Sequence, residues 1–331
     1  MQSNVFATES IRNTPKKIAF WAKLAVLFGL IAYIGYTLRG QSDSWPQVWQ
    51  QLRTTDWRGG WLLTLALLTP VNWGFEALKW QVLARRVEPV SWADAYRGVL
   101  AGLSLGFALP AQLGDTAGRV LSLRTGRRGA AIGASLVSGG MQFYIAIVFG
   151  ALAWAVHLAL VPARNTVAGQ GLLVLLAALS LLGVLLNAVR PQLVRWSARW
   201  PWLHRFSAYW AIIGQYSHGD MAGAFLAGAM RYVVFSLQFY CALQLYHVTL
   251  SANALTSGIG LVFLAKTITP AFNLLSDLGV REAASLWVFS PFGVPAPLLL
   301  TATLTLWLVN VLLPVAVGLI WVWRLRLTVA K

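Results

Sequence analysis

Two pairs of oppositely charged residues, each an aspartate with an arginine four positions later, interrupt a strongly apolar chain. They are Asp115 with Arg119 in "GFALPAQLGDTAGRVLSL" and Asp277 with Arg281 in "KTITPAFNLLSDLGVREAASLW". Arginine binds phosphate through two parallel hydrogen bonds, so both arginines are candidate contacts for an anionic headgroup. The alternative is structural: each aspartate caps the start of a helix and pairs with the arginine one turn later.

A proline precedes each charged pair, at Pro110 and Pro270, and ends an apolar stretch shorter than the roughly 20 residues that a membrane span needs. Proline has no backbone N–H and ends a helix before itself. Gly114, Gly118 and Gly279 permit tight backbone paths beyond the prolines. We therefore predict that each stretch breaks near the middle of the membrane and turns back. The two aspartates are expected to approach each other across a central cavity.

Other ionisable residues in apolar surroundings are further candidates. Those expected to line the cavity with the two pairs are Arg231, Lys266 and Glu282. Capping of a helix C-terminus is an alternative role for Lys266. Gln238 lies seven residues after Arg231 and shares its helix face, so an interhelical hydrogen bond is an alternative there. Glu76 and Lys79, three residues apart, are predicted to neutralise each other, with the lysine extending to the membrane surface.

The composition excludes a soluble globular protein. Of the 331 residues, 58% are hydrophobic and only 11% are charged, whereas soluble domains carry roughly 25% charged residues. Cys241 is the only cysteine and the four histidines are far apart, so we predict neither a disulfide within the chain nor a metal or other cofactor. In a membrane protein the net charge of +16 indicates loops on the anionic cytoplasmic side, not nucleic acid.

The hydropathy pattern predicts an all-α polytopic protein with one transmembrane domain over residues 1–331. We expect about six full spans and two re-entrant helical hairpins of opposite orientation; eight full spans is the alternative. The predicted spans are 18–38, 61–84, 129–160, 171–189, 222–247 and 297–323. The predicted re-entrant elements are 92–128 and 252–294, and residues 190–217, rich in arginine and tryptophan, are predicted to lie along the membrane interface.

The distribution of lysine and arginine orients the chain. Most of these residues fall on one side of the predicted spans, including the loop from Arg124 to Arg128 and both termini. The positive-inside rule places that side in the cytoplasm. We therefore predict a multi-pass protein of a bacterial-type inner membrane with both termini in the cytoplasm.

Three segments resemble the transmembrane-domain family of lysylphosphatidylglycerol synthases, also called flippase-like membrane proteins. They are "LPAQLGDTAGRVLSL", "SDLGVREAASLW" and "EALKWQVLARR", and the resemblance covers about Trp61 to Trp321. The chain departs from the family where a charged Glu-Arg pair often follows the first hairpin, because "LVSGGMQFY" stands there. The Gly-Gly before the second segment is Ser276-Asp277 here.

The resemblance implies a lipid flippase or transporter that moves an anionic phospholipid or a polyprenyl-phosphate-linked lipid between leaflets. The alternatives are a membrane subunit or enzyme of lipid-linked glycan assembly and a secondary transporter of a small anion. We do not expect an enzyme, since no catalytic motif and no aminoacyl-transferase domain is present. The expected partner is a lipid with an anionic headgroup, together with a second copy of the chain or a protein of lipid biosynthesis.

Overall fold

The computed structural model describes residues 46, 50, 53, 60–108, 111–197, 199–201, 206–269 and 276–329, and this part is entirely helical apart from its connections. The predicted span 18–38, Pro110 and Pro270 lie outside the described residues, as does the side chain of Asp277. The helices are α1 (Gly60–Ala84), α2 (Trp92–Ala108), α3 (Ala111–Leu121), α4 (Arg128–Leu160), α5 (Val167–Ser197), α6 (Ser207–Gln215), α7 (His218–Leu245), α8 (Ala252–Ile268), α9 (Ser276–Phe289), α10 (Ala296–Trp307) and α11 (Leu313–Val329).

Four helices in the described part are long and apolar enough to cross a membrane, which confirms an integral multi-pass protein. They are α4, α5, α7 and the continuous helix Ala296–Val322 formed by α10 and most of α11. Helix α1 has 25 residues and so also has the length, but it carries Glu76 and Lys79. The count of six spans and two re-entrant hairpins stays a prediction.

Helices α2 and α3 form an antiparallel hairpin in which glycine packs on glycine. A Cβ atom at Gly114 would collide with the backbone of Gly106, and one at Gly118 with the backbone of Gly102. The two helices therefore approach to a distance that only glycine allows. With 17 and 11 residues, each is shorter than the roughly 20 residues that a span needs.

Helix α3 begins one turn earlier than the sequence pattern predicts. It starts at Ala111, directly after Pro110, so Asp115 lies in its second turn and is not an N-cap. A proline just before Ala111 in the sequence is compatible with this start, because proline is common in the first turn of a helix, where its missing N–H costs no hydrogen bond. Helices α8 and α9 flank the second break; α8 ends at Ile268 and α9 begins at Ser276.

A π-helical segment, Leu308–Leu312, joins α10 to α11 just before Pro314. Proline cannot donate to the carbonyl four residues earlier, which is that of Asn310. The indole Nε1 of Trp73 in α1 donates to this carbonyl at 3.0 Å. A side chain from a neighbouring helix thus satisfies the acceptor that the proline leaves open.

The predicted interfacial segment 190–217 is divided between two helices. Its first residues continue α5 as far as Ser197, and α6 follows as a separate helix of nine residues. Helix α6 packs against α4, where Gly129 and Gly133 lie against Ala208 and Tyr209, and Ile212 is buried. Its position at a membrane surface stays a prediction.

Candidate functional site

A group of charged side chains, buried at its centre and partly exposed at Asp115 and Arg231, lies where α1, α3, α4 and α7 meet. Its members, which we call the ion cluster, are Glu76 and Lys79 of α1, Asp115 and Arg119 of α3, and Arg231 of α7. Helices α1 and α7 pack along each other, and α3 and α4 close the other sides. The cluster therefore links the first helical hairpin to the long helices.

Glu76 is the centre of the ion cluster. Its Oε1 accepts from Arg119 Nη2 at 2.7 Å, and its Oε2 lies 2.8 Å from Lys79 Nζ and 3.3 Å from Arg231 Nε. Since Glu76 and Lys79 are three residues apart on one helix, their own pairing is local. The contacts with Arg119 and Arg231 bring in helices that are distant in sequence.

All three nitrogen atoms of the Arg119 guanidinium group donate hydrogen bonds to protein acceptors. Its Nε donates to Asp115 Oδ1 at 2.9 Å, its Nη2 to Glu76, and its Nη1 to Ser138 Oγ at 3.0 Å. The predicted Asp115–Arg119 pair is therefore present as an ion pair one turn apart. A role for Arg119 as an anion contact stays a prediction, because its donors already hold α1, α3 and α4 together.

The ion cluster has three cations and two carboxylates, which leaves one positive charge in excess. Arg231 is the cation with the weakest attachment. Its contact with Glu76 is the longest of the three, and its Nε makes no hydrogen bond within the described part. Its side chain is 17% exposed, whereas that of Lys79 is 1% exposed. The charge of Arg231 is therefore the least compensated of the three cations, and it would attract an approaching anion most strongly.

Tryptophan rings from α1 lie against the two arginines of the ion cluster. The Cζ of Arg119 is 5.6 Å from the ring centroid of Trp80, and that of Arg231 is 5.0 Å from that of Trp73. Such rings attract a guanidinium group and exclude water from it. They help to orient the two guanidinium groups between apolar helices.

The cluster lies well inside the long helices. Arg231 is near the middle of α7, and Ser138 is about 15 Å along α4 from its start, at 1.5 Å per residue. Ionisable groups at such depth are costly and mark functional sites by default.

The second hairpin places its cations against a different ring. Arg281, which is fully buried, and Lys266 lie on Phe235 of α7, with Cζ and Nζ at 5.9 and 5.7 Å from the ring centroid. Glu282 is buried beside Arg281 in α9. Phe235 is one turn from Arg231, so α7 carries both groups on one face. The approach of the two hairpin tips stays a prediction.

The face of α7 predicted to point inward does so. Gln238 is buried and accepts a hydrogen bond from Asn72 Nδ2 at 3.1 Å, while it donates to Thr69 Oγ1 at 2.9 Å. The interhelical hydrogen bond is therefore present. The prediction for Lys79 was wrong: it does not extend to the surface, because Glu76 and Gln142 Oε1, at 3.1 Å, hold its ammonium group inside.

The sequence pattern did not indicate that Ser138 and Gln142 belong to the site. Both belong to "LVSGGMQFY", where charges were expected from the resemblance. They contact Arg119 and Lys79 instead, so neutral hydrogen-bond acceptors complete the cluster. Ser138 and Gln142 are four residues apart and so share one face of α4, and this spacing could have indicated that they belong together.

Within the described residues no group of three histidine, cysteine, aspartate or glutamate side chains could hold a metal ion.

The sequence model of the lysylphosphatidylglycerol synthase TM region matches residues 20–318 of the chain. That range contains the ion cluster and both helix breaks. A comparison with the curated proteins gives no match.

Proposed function

The chain belongs to the lysylphosphatidylglycerol synthase TM region family, and from this premise and the ion cluster we propose that it moves a lipid with an anionic headgroup between membrane leaflets. The observation that carries the proposal is the excess positive charge at Arg231, which is partly exposed among apolar helices. A phosphate group is the lipid component that a guanidinium recognises best. Anionic phospholipids and polyprenyl phosphates both present one.

Transport, not catalysis, suits the chemistry of the cluster. Its two carboxylates are engaged by cations, and Ser138 accepts from Arg119. Among the described residues of the cluster there is therefore neither a free general base nor an activated nucleophile. A headgroup held at Arg231 would exchange a hydration shell for the guanidinium while its acyl chains stay among apolar helix surfaces. The binding site would then lower the cost of carrying charge through hydrocarbon.

The helical hairpin α2–α3 brings the cluster to this depth. In a re-entrant arrangement, the break between Ala108 and Ala111 lies within the membrane, and α3 returns to the side from which α2 came. The ion pair of Arg119 with Glu76 then holds the hairpin against α1, and its hydrogen bond to Ser138 holds it against α4. Broken helices that meet near the midplane are a recurrent plan for substrate sites in transporters.

The test is a leaflet-exchange assay with fluorescent phosphatidylglycerol in vesicles that contain the purified protein. The wild-type chain is expected to accelerate exchange of phosphatidylglycerol and to act weakly on phosphatidylcholine. Arg231→Gln should slow the phosphatidylglycerol reaction roughly tenfold, since a hydrogen bond to a charged group contributes about 1.5–3 kcal/mol.

Arg85→Gln is the matched control, because Arg85 is an exposed arginine just beyond α1. It should leave the exchange rate unchanged. Wild-type rates for Arg231→Gln, or no exchange by the wild-type chain, would contradict the proposal. Full exchange of phosphatidylcholine at the same rate would exclude selection by headgroup charge.

A further inference from the structure

A second feature with the character of a binding site lies beside the ion cluster. It is a groove of about 750 Å³ between α4, α5 and α7, open along one side to the surface of the molecule. Its walls are apolar over most of their length and include Phe143, Ile147, Leu182, Leu186 and Phe225. The hydroxyl of Tyr144 donates to Ser180 O at 2.9 Å and so ties α4 to α5 behind it.

One end of the groove is polar and cationic. Arg190, Asn187 and His218 lie there, and Arg190 is only 6% exposed. Arg190 donates through Nη1 to Asn187 Oδ1 at 2.6 Å and through Nη2 to Tyr216 O. Both acceptors are neutral, and within the described part Arg190 forms no direct ion pair with a carboxylate.

The Nε of Arg190 is a buried donor without a hydrogen-bond partner in the described part. Asp220, the carboxylate nearest in the chain to His218, forms its ion pair with Arg86 at 2.7 Å and attracts Arg190 only from a longer distance. A buried guanidinium with an unused donor and no directly paired carboxylate is uncommon in proteins. It therefore points to an acidic ligand at this end of the groove.

The dimensions fit one leaflet of a bilayer. Along α4 the groove runs from Val137 to Ile147, and along α5 from Leu179 to Arg190. At 1.5 Å per residue both distances are about 15 Å, half of the roughly 30 Å of hydrocarbon. An acyl chain in the groove would thus lie at its natural depth while the phosphate reached Arg190.

Resting on the proposed transport of an anionic lipid, we propose that this groove holds one acyl chain of an anionic glycerophospholipid whose phosphate contacts Arg190 and His218. The groove is adjacent to the ion cluster, because Val137 and Met141 line it while Ser138 and Gln142, their neighbours on α4, contact Arg119 and Lys79. A lipid bound in the groove would therefore lie next to the ion cluster.

Two adjacent glycines provide a matched pair of variants. A Cβ atom at Gly140 or at Gly139 would meet no atom within 4 Å, and both residues are exposed in α4. Gly140 lines the groove and Gly139 does not. Gly140→Leu therefore fills the groove without disturbing the fold, and Gly139→Leu adds the same side chain beside it.

The experiment is native mass spectrometry of the purified full chain in detergent, titrated with phosphatidylglycerol or phosphatidylcholine. We expect preferential binding of phosphatidylglycerol. Gly140→Leu should weaken it roughly tenfold, since the lost burial of two or more methylene groups corresponds to about that factor. Arg190→Gln should weaken it similarly, whereas Arg195→Gln, an exposed arginine of α5, should not.

Unchanged binding in Gly140→Leu, or equal losses in Gly139→Leu, would overturn the proposal even if Arg190→Gln does not fold. A change in oligomeric mass in Gly140→Leu would identify the occupant as a second copy of the chain and also overturn it. The assay measures binding alone. A chain that binds but does not exchange phosphatidylglycerol would refute only the transport proposal.

Discussion

At the scale of single residues, Glu76 determines whether the ion cluster is stable. It is 3% exposed, and the three cations of the cluster all lie within 3.3 Å of its carboxylate oxygens. Without that carboxylate, Lys79, Arg119 and Arg231 would repel one another with Asp115 as the only remaining counter-charge. Removal of one partner from a buried ion pair leaves uncompensated charge, which is more costly than the pair itself is stabilising.

We therefore expect Glu76→Gln to lower the free energy of unfolding by about 3–5 kcal/mol. Melting temperature in detergent, followed by tryptophan fluorescence, is a suitable measurement. Asp94→Asn is the control, because Asp94 also pairs with a cation three residues later, Arg97, but at the surface. An exposed pair contributes about 0.2–1 kcal/mol. Equal shifts for the two variants would show that the cluster does not stabilise the fold.

At the scale of elements, the α2–α3 hairpin shows which features the sequence makes predictable. The break was predictable, because Pro110 and Gly114 follow an apolar stretch too short to span. The Asp115–Arg119 ion pair was predictable from its helical spacing. The register was not, since the contacts of Gly102 with Gly118 and of Gly106 with Gly114 depend on the length of the turn between two helices.

We expect Gly118→Ala to destabilise the hairpin although alanine favours a helix by about 1 kcal/mol over glycine. The reason is steric: a methyl group at Gly118 would occupy the backbone of Gly102, so α2 and α3 would have to separate. Overpacking of this kind costs about 1–3 kcal/mol. Thermal unfolding in detergent should therefore show a lower melting temperature.

Gly171→Ala in α5 is the matched control, since Gly171 is helical, exposed and without neighbours within 4 Å of a Cβ atom. Helix propensity alone acts there, and the variant should be equally or more stable than the wild type. A Gly118→Ala variant that is also stabilised would refute the close packing of the hairpin.

At the scale of the whole molecule, the ion cluster depends on which helices pack against each other, and the sequence does not reveal this. Glu76 meets Arg231 because α1 packs on α7, and no local pattern relates these residues. Periodicity identifies an inward face, as it did for Arg231 and Gln238, but not which helix lies opposite. The acceptors Ser138 and Gln142 were missed for the same reason.

The two ends of α4 differ in charge, and this difference predicts the orientation of the molecule in the membrane. Arg124 and Arg127 precede the helix and Arg128 begins it, whereas Arg164 follows it and lies on the ring of Trp287, with Cζ 3.8 Å from the centroid. An aromatic ring with arginine is typical of a membrane interface. Since α4 has 33 residues and is long and apolar enough to cross, we expect its ends on opposite sides of the membrane.

The positive-inside rule then predicts that the loop at Gly126 is cytoplasmic and that the loop at Ala163 is outside. Single cysteines at these positions, in a chain with Cys241→Ser, can be tested with a membrane-impermeant thiol reagent on intact cells. Both positions are exposed, so access depends only on the side of the membrane. We expect labelling of Ala163→Cys, and of Gly126→Cys only after the cells are opened. Labelling of Gly126→Cys on intact cells would invert the topology and move the phosphate end of the groove, at Arg190, to the outer leaflet.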